Sequence, residues 1–433
     1  MRTSDPPQRP EERAAPSGPA DHLFRREAGK MVASLVRVFG VHNLALAEDV
    51  VQDALCRALE VWKFHGIPEN PSAWLMTAAR NRALDVLRRE RTARTFAPEL
   101  GRLLESEWTL VPAVAEIFEN PAIQDDLLRM MFSCCHPRLA EEGQVALMLH
   151  ILCGFGVGEI ASAFLASDAA IEKRIVRAKR VLAGSKRLFD LGDRKELAGR
   201  LPAVRRAVYL LFNEGYHGAC AERAVRIELC EEAVRLTSLL VDHPVSQSPA
   251  TYALAALLCL HAARLPARID ASGELRSLGE QDRTRWDAKL IAEGQRLLDL
   301  SAEGPELSEY HVEAAIALSH STAPSTRETN WDAVVRLYDT LMNIRPSPVA
   351  ALSRAIALGE RDGPERGLAA IEAIEGKERL SGSPFYAAAL GELELRRGRR
   401  EAAREHFRAA RAVARSPMER RYFDRRLHDL PSS

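Results

Sequence analysis

"WLMTAARNRALDVLRRERTAR", residues 74–94, joins an apolar seam to a burst of arginine. Leu75, Met76, Ala79, Ala83, Val86 and Leu87 recur at helical spacing, so they are expected to face a core. Trp74, Thr77, Asn81, Asp85 and Arg88 fall on the opposite face of the same helix. Asn70-Pro71 supplies its start, an N-cap residue followed by proline at the first helical position.

The same period runs outward in both directions. Upstream lie "LFRREAGKMVASLVRVFG" (23–40) and "LALAEDVVQDALCRALEVW" (44–62); in the second, Val50, Val51, Ala54, Leu55, Leu59 and Trp62 are expected inside. Downstream, helical periodicity returns at 123–190 and continues to the end, with breaks expected near Pro202, Gly215–Gly218, Pro249, Pro324, Pro348 and Pro364. Runs of alternating β-branched residues are missing. The expected fold is all-α, with a solenoid-like back half built from helix pairs.

With 433 residues the chain exceeds one ordinary domain and has ample core. Its 60 basic and 60 acidic residues cancel, but unevenly along the chain. In 73–94, Arg80, Arg82, Arg88, Arg89, Arg91 and Arg94 face only Asp85 and Glu90, a net charge of +4. In 171–195, nine basic residues face Glu172, Asp190 and Asp193, a net charge of +6. Two separate basic segments in a neutral chain point to two contacts with a polyanion; the alternative is a pair of solvated helix faces. The 7 cysteines, odd in number and mostly within apolar patterns, read as reduced thiols of a cytoplasmic protein. No apolar run reaches membrane-spanning length, and no signal-peptide core opens the chain.

The stretch "VALMLHILCGFGVGEIASAFLASDAAIEKRIVRAKRVL" (145–182) has the form of a helix-turn-helix. Ile160, Ala161 and Phe164 form the buried side of a short first helix, and Ser167 caps a second. There Ile171, Ile175, Ala178 and Leu182 make the apolar stripe, while Ala169, Ala170, Lys173, Val176, Arg177 and Arg180 point away. A helix of this kind can enter a major groove.

Taken together, "AEDVVQDALCRALEVW" (47–62), "PSAWLMTAARNRALDVLRRER" (71–91) and this helix-turn-helix are similar, in order and spacing, to bacterial RNA polymerase sigma factors of the sigma-70-like, extracytoplasmic-function group. The resemblance covers about residues 21–190. It implies that the first piece docks on the clamp helices of the polymerase beta-prime subunit, with Glu48, Asp49, Gln52 and Asp53 as the docking ridge. It implies that the second piece opens the minus-ten element of promoter DNA and that the helix-turn-helix reads the minus-thirty-five element as duplex.

Physical chemistry fits those roles. Melted DNA is held by aromatic faces and cations, and a polar cleft can read one extruded base. Trp74 and Asn81 would wall that base; Arg80, Arg88, Arg89 and Arg91 would hold phosphates. Asp85 is placed to orient Arg82, Arg88 or Arg89. On the duplex side the candidates are Ala170, Lys173, Arg174, Arg177 and Arg180. Ala170 and Glu172 stand where the family commonly has Thr and Lys, and Leu165 where it has Gly, so the minus-thirty-five sequence is not carried over.

The expected organisation is a disordered tail (1–20), sigma region 2 (21–95), a linker (96–122), sigma region 4 (123–190) and a helical carboxy-terminal domain (191–433). The last resembles a tetratricopeptide-like extension. Its clearest unit is 385–427, where Ala389, Gly391 and Ala402 sit near a close helix crossing and Phe407 and Ala410 fill it. This domain is expected to modulate activity and leaves room for a signal protein or ligand.

Two constellations suggest other chemistry. Cys134-Cys135-His136 lacks a spaced second pair of zinc ligands and reads as buried thiols. Asn213, Glu214, Tyr216 and His217, with Asp270, Asp282, Arg283 and Trp286, make either a polar pocket or buried cross-links, the latter favoured. The residues name no catalytic group, metal or cofactor. The rival reading is a helix-turn-helix regulator with a ligand-sensing or scaffold domain that never touches polymerase.

Overall fold

Asn70 Oδ1 accepts the Ala73 backbone N–H at 3.0 Å, the cap that the Asn-Pro pair predicts. The computed structural model describes residues 19–39, 43–95, 123–164, 166–183, 194–217 and 225–430. The expected linker, Leu165, and residues 1–18 of the expected tail lie outside them. Among the described residues the fold is all-α: no strand forms, and one isolated antiparallel bridge joins Ile269 to Leu275. The chain divides into two compact units, Met1–Leu127 and Leu128–Ser433.

In the first unit, α1 (Pro19–Phe39), α2 (Leu44–His65) and α3 (Pro71–Thr95) pack against one another. Helix α1 therefore begins two residues inside the expected tail. Met31, Leu35 and Val36, then Ala47, Val50, Val51, Ala54, Ala58 and Trp62, then Leu75, Ala79 and Ala83 form the core. Leu59 does not join it, being 51% exposed. The seam steps through Val51, Ala54, Ala58 and Trp62, and Leu59 sits one position round the helix from it.

The division falls within α4 (Ile123–Cys134), and the second unit goes on with α5 (Glu141–Ile151), α6 (Val157–Phe164) and α7 (Asp168–Ala183). It continues with α8 (Arg194–His217), α9 (Ile227–Asp242), α10 (Pro249–Ala262) and the single turn α11 (Leu265–Arg268). Then come α12 (Ala288–Ser301), α13 (Glu309–Thr322), α14 (Trp331–Ile344), α15 (Pro348–Asp362), α16 (Pro364–Glu372), α17 (Pro384–Arg396), α18 (Arg400–Ala412) and α19 (Pro417–His428). From α8 onward helices pack mainly on near neighbours in the chain: α8 on α9, α10 on α12 and α13, α14 on α15, α17 on α18. That is solenoid logic, in which short-range pairs build a continuous core.

Ser-Pro pairs start several of these helices. Ser248, Ser347 and Ser416 each accept a backbone N–H of the first turn, from Thr251, Ala350 and Glu419. Each such cap stabilises by about 1 kcal/mol, and the following proline loses no helical hydrogen bond.

One expected break, Pro202, is not a break, and the break expected at Gly215–Gly218 comes within that range: α8 runs to His217. Pro202 lies inside α8. It is exposed, so the carbonyl it leaves unpaired can turn to water. Gly215 is also helical, and its use is close approach: a Cβ there would come within 2.8 Å of the Arg226 carbonyl and of Cys230 Sγ. Farther along, a Cβ on Gly391 would meet Phe407 at 2.9 Å, the small-against-aromatic crossing expected for 385–427.

Candidate nucleic-acid interface

Within the first unit, Trp74 is half-buried rather than free on the surface. Its ring meets Trp62 edge-on with centroids 5.5 Å apart, and Trp62 in turn lies 5.4 Å from Phe24. Trp74 thus borders the core and keeps part of one face at the surface. Asn81 and Asp85 are exposed on the same helix, and Arg80 is half-buried with an Nε that meets no acceptor. Arg88, Arg89 and Arg91 continue α3, but their side chains lie outside the described ones.

Arg82 reaches across to α2, where its Nε donates to Asp53 Oδ2 at 2.6 Å. Asp53 therefore has a cation of its own chain beside it. Both partners are substantially exposed, so the pair contributes at most about 1 kcal/mol. Asp49 and Gln52 are exposed and Glu48 half-buried. Beyond this ridge stand exposed apolar side chains: Leu59, which periodicity placed inside, and Phe64 and Ile67, which it did not single out, at 51%, 79% and 62% exposed. Phe64 and Ile67 flank the helix end at Gly66, whose φ of 78° suits glycine. Large apolar groups held in water at a helix end are the signal of a contact surface.

In the second unit, the helix pair α6–α7 matches the sequence pattern closely. The Ser167 carbonyl accepts the Ala170 and Ile171 N–H groups at 3.0 and 3.1 Å, starting α7. Ile160 and Ala161 are buried, Phe164 half-buried, and Ile171, Ile175, Ala178 and Leu182 seal the inner side of α7. Lys173, Arg177 and Arg180 are exposed, with Val176 among them; Ala170 and Arg174 are half-buried. The outer face thus carries cations over about two turns and no large aromatic group, a shape suited to a groove lined with phosphates.

Contacts from α8 and from the start of α9 tie the α4–α7 bundle to the solenoid. Arg200 of α8, itself 8% exposed, donates to the Phe132 carbonyl of α4 at 3.0 Å. Helix α8 packs on α5, and Arg226, just before α9, pairs with Glu159 of α6. The expected boundary near residue 190 falls inside this unit.

The other constellations resolve differently. Cys134 and Cys135 are buried at the end of α4, and burial pushes the Cys135 thiol up to about 12. His136 Nδ1 accepts the Arg138 N–H at 3.2 Å. Among the described residues no group of three His, Cys, Asp or Glu side chains converges as a metal-ligand set. Tyr216, Arg283 and Trp286 do come together, but Asp270 and Asp282 do not join them. Asp270 accepts from Ser272, Glu274 and Arg276, and Asp282 caps Thr284, each within its own turn. Arg264, Arg268, His261 and His320 fill the places those aspartates were expected to take.

No helix among the described residues is long and apolar enough to cross a membrane. The three-helix unit and its polar ridge define a sigma region 2 module: residues 23–93 match sigma-70 region 2. Residues 200–302 match DUF6596, a family of unknown function. An uncharacterized protein of Rhizobium meliloti (strain 1021) is 38% identical over 399 residues, covering 92% of this chain and 93% of that protein. The chain therefore carries a sigma-70 region 2 domain, and it belongs to one family with that relative, aligning with it over nearly its whole length. No solved structure matches it.

Proposed function

We propose that this chain is a sigma factor of the extracytoplasmic-function group, acting in the cytoplasm, which recruits core RNA polymerase to a set of promoters. One observation carries the reading: a single chain holds a sigma-70 region 2 at residues 23–93 and, separately, a sealed helix pair whose second helix shows Lys173, Arg177 and Arg180 to solvent. In this reading α2 docks on the clamp helices through Glu48, Asp49, Gln52 and Asp53, with Leu59 and Phe64 supplying apolar contact. Trp74 and Asn81 take up an extruded minus-ten base, while Arg80, Arg88, Arg89 and Arg91 hold the melted strand and Asp85 orients them. The pair α6–α7 acts as the helix-turn-helix of region 4, placing Ala170, Lys173, Arg174, Arg177 and Arg180 in the minus-thirty-five groove. The solenoid from α8 onward is a tetratricopeptide-like domain that modulates activity.

The testing experiment is run-off transcription with core polymerase. Full-length chain supports promoter-dependent transcripts, and Trp74→Ala or Arg88→Ala lowers strand opening more than duplex affinity. A chain that binds duplex DNA but neither co-purifies with core polymerase nor opens a bubble is instead the polymerase-independent regulator. Cutting after residue 190 would strip the Arg200 and Arg226 contacts from α4 and α6. The role of the solenoid is therefore better tested in the full chain by Arg226→Leu.

A further inference from the structure

At the ends of α8, α10 and α13 the solenoid gathers cations and aromatic rings, and among the described residues no carboxylate forms a salt bridge with Arg264, Arg268 or Arg283. Tyr216, 2% exposed, accepts from Arg264 Nη2 at 2.6 Å. The Arg268 guanidinium lies 4.0 Å from the centre of the Tyr216 ring, and the His261 ring lies 5.2 Å from it. Arg264 also stands 6.0 Å from the Trp286 ring, which Arg283 approaches to 4.6 Å. Arg283 Nη1 is spent on the carbonyls of His320 and Ala323, at 2.5 and 2.6 Å.

What remains is a set of buried nitrogens with no acceptor: Nε of Arg264 and Arg268, Nη2 of Arg283, Nε1 of Trp286, and Nδ1 of His261 and His320. Arg264, Trp286 and His320 are 7%, 6% and 8% exposed, so water does not answer them from bulk. Among the described residues none of the three guanidiniums forms a salt bridge; Glu328 acts on Arg283 only from beyond pairing distance, and Asp270, two residues after Arg268, is committed to Arg276. Buried polar groups are nearly always satisfied, and so many donors of one sign in one place want an acceptor from outside the chain. Burial, with Arg264 and Arg283 facing it, pushes His320 down to about 4, and burial likewise depresses His261. Both imidazoles are thus neutral at pH 7, each able to donate one N–H.

We propose that Arg264, Arg268 and Arg283, with Trp286, His261 and His320 as neutral donors, form a binding site for a small phosphate-bearing anion. Three permanent charges exceed what one carboxylate neutralises, and the guanidinium fork matches phosphate oxygens. The site stands on the cluster alone and is independent of the promoter-binding reading. The anion can be free phosphate or the phosphomonoester of a larger metabolite.

The test uses the full chain at matched ionic strength. Thermal unfolding and calorimetric titration are run with inorganic phosphate, a nucleoside monophosphate, acetate and chloride. Saturable stabilisation by phosphate, absent with acetate, is expected. A monophosphate binding at least tenfold tighter than phosphate assigns the larger ligand, and equal affinity assigns the free anion. Arg268→Gln and Arg283→Gln should each weaken phosphate binding at least tenfold; Arg283→Gln should also lower the Tm in chloride, because it gives up the His320 and Ala323 carbonyls. Arg264 is too deeply packed to be the lead variant. Phosphate stabilisation that survives both substitutions, that acetate reproduces, or that does not saturate overturns the proposal.

Discussion

Arg226 Nη1 donates to Glu159 Oε1 at 2.7 Å, joining the start of α9 to α6, the first helix of the candidate groove-binding pair. The arginine is 8% exposed along its side chain, and its guanidinium also lies 5.9 Å from the Phe155 ring. Glu159 uses its other oxygen to accept the Gly156 N–H at 2.8 Å, so one carboxylate caps α6 and ties it to the solenoid. Arg226→Leu should cost roughly 1.5–3 kcal/mol of stability. Hydrogen exchange across α6 should rise more than exchange across α17 and α18; equal protection everywhere would mean that the tie holds nothing.

Gly215→Ala tests the α8–α9 contact. The added methyl has no room between the Arg226 carbonyl, Cys230 Sγ and the Cys230 backbone nitrogen, at 2.8–2.9 Å. Overpacking of this kind costs about 1–3 kcal/mol. Urea unfolding should show a lower midpoint at unchanged slope. Alanine at exposed Gly199, where nothing lies within 4 Å, serves as the control and should be neutral or slightly stabilising.

On α7, Lys173→Ala and Arg177→Ala should leave stability within about 0.5 kcal/mol, because both side chains are exposed. Duplex affinity is where they should act. A residue that meets only phosphate lowers the salt slope by about one when removed, whereas one that reads a base costs about 1–3 kcal/mol on its preferred site alone. Titrating both variants against promoter and scrambled duplex at several salt concentrations separates the roles.

Trp74 needs a paired substitution, since it both borders a core and presents a face. Trp74→Ala gives up its edge contact with Trp62, about 0.5–1.5 kcal/mol beyond the area lost. Trp74→Phe retains much of that packing. If the indole stacks on an extruded base, both variants should slow bubble opening, measured by base reactivity to permanganate. Normal opening in the phenylalanine variant together with slow opening in the alanine variant would assign Trp74 to packing.

Glu313 gives the second unit a pH dependence. Burial raises its carboxyl to about 7 even though the Tyr209 hydroxyl donates to it at 3.0 Å; the Glu309 charge adds to the rise. The unfolded group titrates near its ordinary 4.5, so between 4.5 and about 7 the folded chain holds the extra proton. Stability from this group is therefore full below that window and is lost as pH rises through it, by about 3 kcal/mol at most. Glu313→Gln should flatten the slope of unfolding free energy against pH across the window and stabilise the chain above it.

Much of the fold was legible in the chain. Asn70-Pro71 and the inner stripe from Ile171 to Leu182 are local patterns, and local patterns survive folding because capping and helical period depend only on near neighbours. Where sequence and structure part, a distant partner has intervened. Gly215 looked like part of a stop and is also a contact with Cys230. Leu59 looked inward because a seam one position wide cannot be told from its neighbour by hydropathy. Asp53, on a ridge of acids, meets Arg82 of the next helix.

The polar constellation near Tyr216 marks the limit most clearly. The sequence named Tyr216, Arg283 and Trp286 but paired them with Asp270 and Asp282; the fold sends those aspartates back into their own turns. Arg264 and Arg268, one helical turn apart beside an apolar run, were the available signal. The amino-acid order by itself determined an all-helical chain with two basic segments, since helix period and charge density are properties of neighbours, and its resemblance to a known family placed a region 2 at its front. Only the tertiary structure decided that α5–α7 share one unit with the solenoid, and that the guanidiniums of Arg264, Arg268 and Arg283 gather around Tyr216 and Trp286. Those outcomes depend on which helix ends come together, and that is set by packing between residues far apart in the chain.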